Sequence, residues 1–210
     1  MTTEQQDCLP KVDVHMAHMP GELVNWNKCD ISNQPIVLHH IDGIPGNILQ
    51  TRIDGFSLGT HKYVSFWDPD DTIEPGAFQQ CIDFLELYPK YGGCYTNSTI
   101  IRDGKHPTAM YKQHKWSLEY HSKSPLPVHQ LVVVRREVIQ QATHNLPPIS
   151  DSQLCEQLIY AHCAVIAPFY FLDINGYNWF DHPQGDHKNA NFEKARHQVG
   201  LHIRNLLGNL

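Results

Sequence analysis

The sequence predicts an α/β fold, a mostly parallel central sheet flanked by helices, and three observations carry that prediction. Apolar runs that read as strands alternate with helical patterns through the first half of the chain. Each run closes on turn residues. The 210 residues suffice for one core and are too few for two comfortable ones, so a single domain over 1–210 is expected. Strands joined by helices pair in parallel through right-handed crossovers, and such sheets bind ligands at the carboxyl ends of their strands.

The elements follow in order. VDVHMAHM, residues 12–19, alternates apolar and polar residues as a half-buried strand does, and Pro20 with Gly21 ends it. ELVNWNKCDI reads as a short helix. QPIVLHHIDG is a second strand, closed by the turn residues DGIPG at 42–46, and NILQTRIDGFSLG a helix ending at a glycine. KYVSFW is a third strand, which empties into Asp68, Asp70 and Asp71. From Pro75 to Tyr88 runs an amphipathic helix with proline at its start. In the second half, GGCYTNSTIIRDGK predicts a strand and turn, and VHQLVVVRREVIQQA a strand entering a helix. SDSQLCEQLIYAHC predicts a helix capped by Ser150 or Asp151, AVIAPFYFLDING another apolar run, and the tail after Asn189 a helix.

Composition narrows the class. Hydrophobic residues at 41% and charged residues at 18% describe a folded protein, not a disordered one. No apolar run approaches the roughly 18 residues of a spanning helix, so neither membrane insertion nor secretion is expected, and a cytoplasmic location follows. Six cysteines without a C-x-x-C pair predict reduced, buried thiols. The formal charge of −6 argues against uniform nucleic-acid binding. It conceals a segment from Arg102 to Arg136 carrying +5, interleaved with Tyr111, Trp116 and Tyr120, a mixture suited to phosphates and stacked bases.

Asp68, Asp70 and Asp71 place three carboxylates within four positions, where they repel one another and lose solvation. A hard divalent cation that completes its shell with diphosphate oxygens would relieve that repulsion. A solvated loop ahead of the next helix is the plainer alternative.

The stretch RIDGFSLGTHKYVSFWDPDDTIEPGAFQQCIDFLELYP resembles the signature of the family-2 glycosyltransferases: an arginine-bearing helix, a glycine, a strand, D-x-D-D, a proline and an amphipathic helix. The resemblance implies a GT-A (Rossmann-like) fold and a metal-dependent, inverting enzyme that uses a nucleotide-diphosphate sugar. It makes 12–100 the donor half, 101–190 the acceptor half and 191–210 a helical tail. It sets Asp68 near the ribose or the metal, Asp70 on the metal, taken as Mn²⁺ or Mg²⁺, and Asp71 near the donor sugar. Asp42 matches an aspartate that reads uracil, which favours a UDP-sugar; a self-bonded turn former is the alternative. Arg52 matches an arginine that approaches the diphosphate, while His18 and Pro20 stand where the family's P-T-Y-N turn would be. Asp151 in ISDSQL is the counterpart of the catalytic base, with Ser150 in place of a glutamate; a helix cap is its other reading. His182 and His187 both fall where the family supplies a further metal ligand. Tyr177 and Trp179 would wall the acceptor, or pack as core aromatics. The compact build resembles bacteriophage enzymes that glycosylate hydroxymethylated pyrimidines in DNA. That implies a DNA acceptor held by Lys112, Lys115 and Trp116, and a host-cytoplasm location. Transfer to a saccharide or other small hydroxyl, and an inactive nucleotide-binding module, are the competing readings.

Overall fold

Val12, Val14 and Met16 are buried on one face of the first strand while Asp13 and His15 are buried on the other, so this strand lies inside the sheet and not at a half-exposed position. The computed structural model describes residues 11–18, 34–102, 106–111, 114–124, 128–129, 131–144, 146, 154–181, 192–208 and 210. Its elements are β1 (Val12–His18), β2 (Ile36–Asp42), α1 (Ile48–Ser57), β3 (Tyr63–Phe66), β4 (Thr72–Ile73), α2 (Ala77–Leu87), β5 (Gly93–Arg102) and β6 (His106–Tyr111). There follow α3 (Leu118–Lys123), β7 (Val132–Arg135), α4 (Arg136–His144), α5 (Cys155–Ile166), β8 (Phe169–Asp181) and α6 (Phe192–Leu207). The ELVNWNKCDI segment and the Pro20-Gly21 turn lie outside the described residues.

The strands form one mixed sheet in the order β2-β1-β3-β7-β5-β8-β4, with β6 paired to β5. β1 is parallel to β2 and β3, and β5 to β8. β7 runs antiparallel to both β3 and β5, and β4 antiparallel to β8. The expected parallel pairing therefore holds for β1 with β2 and β3 and for the long β5–β8 ladder, while a reversed β7 joins the two groups. VVVR is apolar throughout, so its pattern carries no direction; its backbone enters the sheet from the edge at which β3 ends.

Two apolar layers cover the sheet. On one face α2 supplies Phe78, Cys81, Ile82 and Leu85 against Val12, Val14, Tyr63 and Val133. Each such fully buried side chain contributes about 1.5–3 kcal/mol. On the other face α1, α4, α5 and α6 pack around Phe56, Ile139, Leu158, Ile159 and Ile203. Gly55 of α1 is required there, because a Cβ would lie 2.4 Å from His15 Cδ2.

Several boundaries differ from the sequence reading. α2 begins at Ala77, after Gly76 at φ 76°. Leu154 holds the cap position of α5, and the expected caps, Ser150 or Asp151, lie outside the described residues. The run AVIAPFYFLDING divides, its first three residues completing α5 before β8 starts at Phe169. Cys81, Cys94, Cys155 and Cys163 are buried free thiols, as expected. Among the described residues no helix is long and apolar enough to cross a membrane.

At the amino end of β1, Asp13 is enclosed. Its Oδ1 meets His39 Nε2 at 2.7 Å and His61 Nδ1 at 2.9 Å; its Oδ2 accepts from the His61 backbone N–H at 2.7 Å and Arg136 Nη2 at 2.6 Å. Arg136 also donates to the carbonyls of Phe56, Leu58 and His61. Gly59, at φ 73°, lies so close that a Cβ would sit 2.2 Å from Asp13 Cγ. This knot fastens β1, β2, the end of α1 and the start of α4 together.

Candidate active site

β1, β2 and β3 run in parallel and deliver their carboxyl ends to one edge, opposite the Asp13 knot. Register sets Asp42 beside His18 and Phe66 beside His15. Asp42 and Asp68 thus stand two strands apart at similar heights, which at strand spacing is about 10 Å. Asp42 is exposed, with His18 Nδ1 3.7 Å from its Oδ1.

The turn after β3 is held at both ends. The Trp67 N–H donates to the His15 carbonyl, the Asp71 N–H to the Asp68 carbonyl at 3.1 Å, and Trp67 Nε1 to the Asp71 carbonyl at 3.1 Å. Beyond it β4 pairs Thr72 with Asn178 and Ile73 with Tyr177 of β8. Within this frame the three aspartates have separate fates.

Asp71 is buried. Its Oδ2 accepts the Tyr177 hydroxyl and its Oδ1 the Phe180 backbone N–H, each at 2.8 Å. Burial, with Asp68 and Asp70 beside it, pushes this carboxyl up to about 8. Both oxygens serve β8, which corrects the expectation that Asp71 contacts the donor sugar. The same bond holds Tyr177, which is 2% exposed and packs as a core aromatic, the second of its two readings. Asp71→Ala strands a buried hydroxyl and a buried N–H, and is expected to lower unfolding free energy by about 2–4 kcal/mol, read by urea titration. Asp71→Asn, which keeps the shape, should cost less than half as much.

Asp68 is partly open and accepts from Arg52 Nη2 at 2.6 Å. Arg52 rises from α1, nine-tenths buried, with its guanidinium 3.9 Å over the Phe66 ring. Burial alone would disfavour its charge, but Asp68 and Glu156 outweigh that and raise its pKa. Its Nε and Nη1 are buried without a hydrogen-bond partner among the described residues. Asp70 is exposed at the tip of the turn.

Behind Asp68 opens a pocket with an empty volume of about 360 Å³, mouth included, lined by Phe66, Asp68, His129, Leu131, Val132, Glu156, Gln157, Tyr160 and Tyr177. Burial lowers the His129 pKa to about 4, against a smaller opposing pull from Asp68. Glu156, in the first turn of α5, is raised by burial while Arg52 opposes the rise. The sequence reading missed Glu156. Its signal was present: it is the only acid in the mostly apolar CEQLIYAHCAVI.

The other expected residues scatter. Asp151, His182, His187 and Lys112 lie outside the described residues. β8 ends at Asp181, immediately before His182, with Phe180 already bound to Asp71. Trp179 is partly buried against the α2-side core. Trp116 is corrected as a base-stacking candidate: its ring packs against the opposite core and its Nε1 donates to His121 Nδ1 at 3.1 Å. Lys115 is exposed.

The basic segment does not form one surface among the described residues. Arg135 is buried and donates to the carbonyls of Tyr91 and Leu85, Arg136 belongs to the Asp13 knot, Arg102 pairs with Asp181 and Lys123 with Glu119.

Among the described residues no group of three His, Cys, Asp or Glu is placed to hold a metal ion. Asp68 and Asp70 still fit one, because Mg²⁺-type cations are held by one or two carboxylates together with substrate phosphates.

No protein-family model matches the chain, and no curated protein matches it in sequence. Solved structures do match. The crystal structure of S. aureus TarS 1-349 in complex with UDP-GlcNAc aligns with a TM-score of 0.64 at 13% identity, over 95% of this chain and 71% of that one. The corresponding complex with UDP aligns at 0.60 and 13% identity, over 95% of this chain and 70% of that one. The crystal structure of S. aureus TarS aligns at 0.59 and 14% identity, with this chain spanning 42% of its length. The chain has the GT-A-like fold of these structures.

Proposed function

We propose that this protein is a glycosyltransferase that moves a sugar from a nucleoside diphosphate, with UDP the favoured nucleotide, to a hydroxyl acceptor. The observation that carries the reading is the carboxylate turn at the sheet edge with Arg52 locked beside it at 2.6 Å. Structures of the same fold that hold UDP-GlcNAc and UDP support it.

In this reading Asp42 faces the nucleobase, and Asp68 and Asp70 hold Mn²⁺ or Mg²⁺. Bound there, the cation would supply positive charge against the departing diphosphate. Arg52 adds a second, metal-independent positive group, since two of its nitrogens have no partner among the described residues. Asp151 takes the proton from the attacking hydroxyl as the sugar carbon inverts. His182 is the histidine favoured as an added ligand, because it follows directly on Asp181.

For the acceptor we propose a saccharide or another small hydroxyl compound over DNA. Arg135 and Arg136 are buried and bonded inside the fold, while Arg102 and Lys123 are paired at the surface with Asp181 and Glu119, which lowers the net positive charge that suggested phosphate binding. The test is to supply UDP-GlcNAc and Mn²⁺ with either a saccharide panel or duplex DNA containing hydroxymethylpyrimidines. Transfer to saccharide with no salt-dependent DNA binding is the expected result. Transfer to DNA with steep salt dependence, lost in a Lys112→Glu/Lys115→Glu variant, would reverse the acceptor assignment. Absence of both donor binding and donor hydrolysis would leave the inactive-module reading standing.

A further inference from the structure

The helical layer carries a pair of histidines that the carboxylate turn does not use. His162 of α5 and His202 of α6, 40 residues apart in sequence, bring their Nε2 atoms to 3.2 Å. The rings meet tip to tip, with centroids 5.5 Å apart and planes inclined by only 20°. A neutral imidazole has one N–H and one lone pair, so this contact holds a single proton, donated by one ring and accepted by the other. Burial lowers the pKa of both rings, and His202 lowers that of His162 further, which keeps both neutral at pH 7. Both are half-buried and stand beside exposed residues, Val165 one turn along α5 and Leu201 in α6, so solvent reaches them.

A divalent cation can take the place of that proton. When both rings carry their N–H on Nδ1, two lone pairs face one another, and Zn–N bonds of about 2.0–2.1 Å put two imidazole nitrogens of a tetrahedral ion about 3.3 Å apart. The observed 3.2 Å already matches that spacing. Each ring has only to turn by about 35°, so that its lone pair leaves the line between the nitrogens and points at the ion. Without carboxylates, imidazole suits Zn²⁺ better than it suits Mg²⁺ or Mn²⁺. We propose that His162 and His202 form a Zn²⁺ site that fastens α6 to α5, with water completing the shell, since no third His, Cys, Asp or Glu joins the pair among the described residues. His162 lies about 9 Å further along α5 than Glu156, so the site is separate from the carboxylate turn and independent of the sugar-transfer reading.

The experiment titrates Zn²⁺ into the full chain by calorimetry, with Mg²⁺ in excess so that oxygen sites are already filled, and follows thermal unfolding alongside. His162→Gln and His202→Gln are each expected to weaken one Zn²⁺ site by about tenfold or more, because a two-point attachment becomes a one-point attachment, and the double variant to lose little beyond either single one. Zn²⁺ at a hundred times its dissociation constant should raise the wild-type Tm by about 5–10 °C, and at the same concentration raise that of either variant by about half as much or less. Glutamine keeps a hydrogen-bonding side chain, and the two substitutions sit on different helices, so a loss common to both reports the shared ion. A wild type whose Tm does not respond to Zn²⁺ would reduce the pair to a hydrogen bond and overturn the proposal. So would a Zn²⁺ affinity left unchanged by either substitution, since the ion would then sit on other histidines.

Discussion

Asp70→Ala is expected to lower metal-dependent sugar transfer by about a thousandfold, through loss of charge stabilisation on the leaving diphosphate. The same change should cost far less stability than Asp71→Ala, because Asp70 is exposed and Asp71 is buried. The separation of the two effects follows from the division of labour in the turn. Bonds that fix its shape run through Trp67, the Asp71 backbone and the Asp71 carboxylate, while Asp70 is exposed at the tip. Product release followed across a Mn²⁺ titration, with a melting curve beside it, reads both. Transfer that survives the substitution at saturating Mn²⁺ would refute the metal assignment. Asp68→Ala is a poorer probe, because it also releases the buried Arg52 from its partner.

The largest loss of stability is expected from Asp13→Ala, about 3–5 kcal/mol, a large share of the roughly 5–15 kcal/mol that holds a typical domain folded. Asp13 is 2% exposed at its side chain, and its removal leaves Arg136, itself 12% exposed, as a buried cation without its carboxylate. The site also predicts a pH dependence. Burial alone would raise the Asp13 pKa, but the hydrogen bonds from His39 and His61 outweigh it and hold the carboxyl below its ordinary 3.8. A carboxylate whose folded pKa is depressed contributes stability that is present above the unfolded value and lost as pH falls through the folded one. The wild type should therefore lose this contribution below about pH 3.8, and Asp13→Asn should lack that part of the acid transition. Urea midpoints across pH 2–6 measure it. A midpoint for Asp13→Ala equal to wild type at pH 7 would contradict the assignment.

The first half of the chain was legible because its signals are local. Alternation in VDVHMAHM, the glycine after α1 and the proline ahead of α2 each mark an element within a few residues of its true limits. What escaped depends on partners far along the chain. Asp71 reads as a surface carboxylate until Tyr177 and Phe180 come round to meet it. Arg135 and Arg136 read as surface charge, yet their acceptors are carbonyls and a carboxylate brought together only by the sheet. The direction of β7 is absent from an all-apolar tetrapeptide. The resemblance to family-2 glycosyltransferases located the edge on which the site lies, because D-x-D-D follows a strand, but only three-dimensional packing separates the pinned aspartate from the two that face outward.

The seam between β5 and β8 has a consequence for biosynthesis. β8 is the last strand to be made among the described residues, yet it lies between β5 and β4 inside the sheet, and its Tyr177 and Phe180 anchor the downstream end of the aspartate turn. A nascent chain that has left the ribosome only as far as α5 exposes one flank of β5 and holds the Asp68–Asp71 loop by its upstream end alone. Ordering of that loop must therefore wait until translation has passed residue 181, so C-terminal truncations short of that point should abolish nucleotide binding even where the upstream layers still collapse.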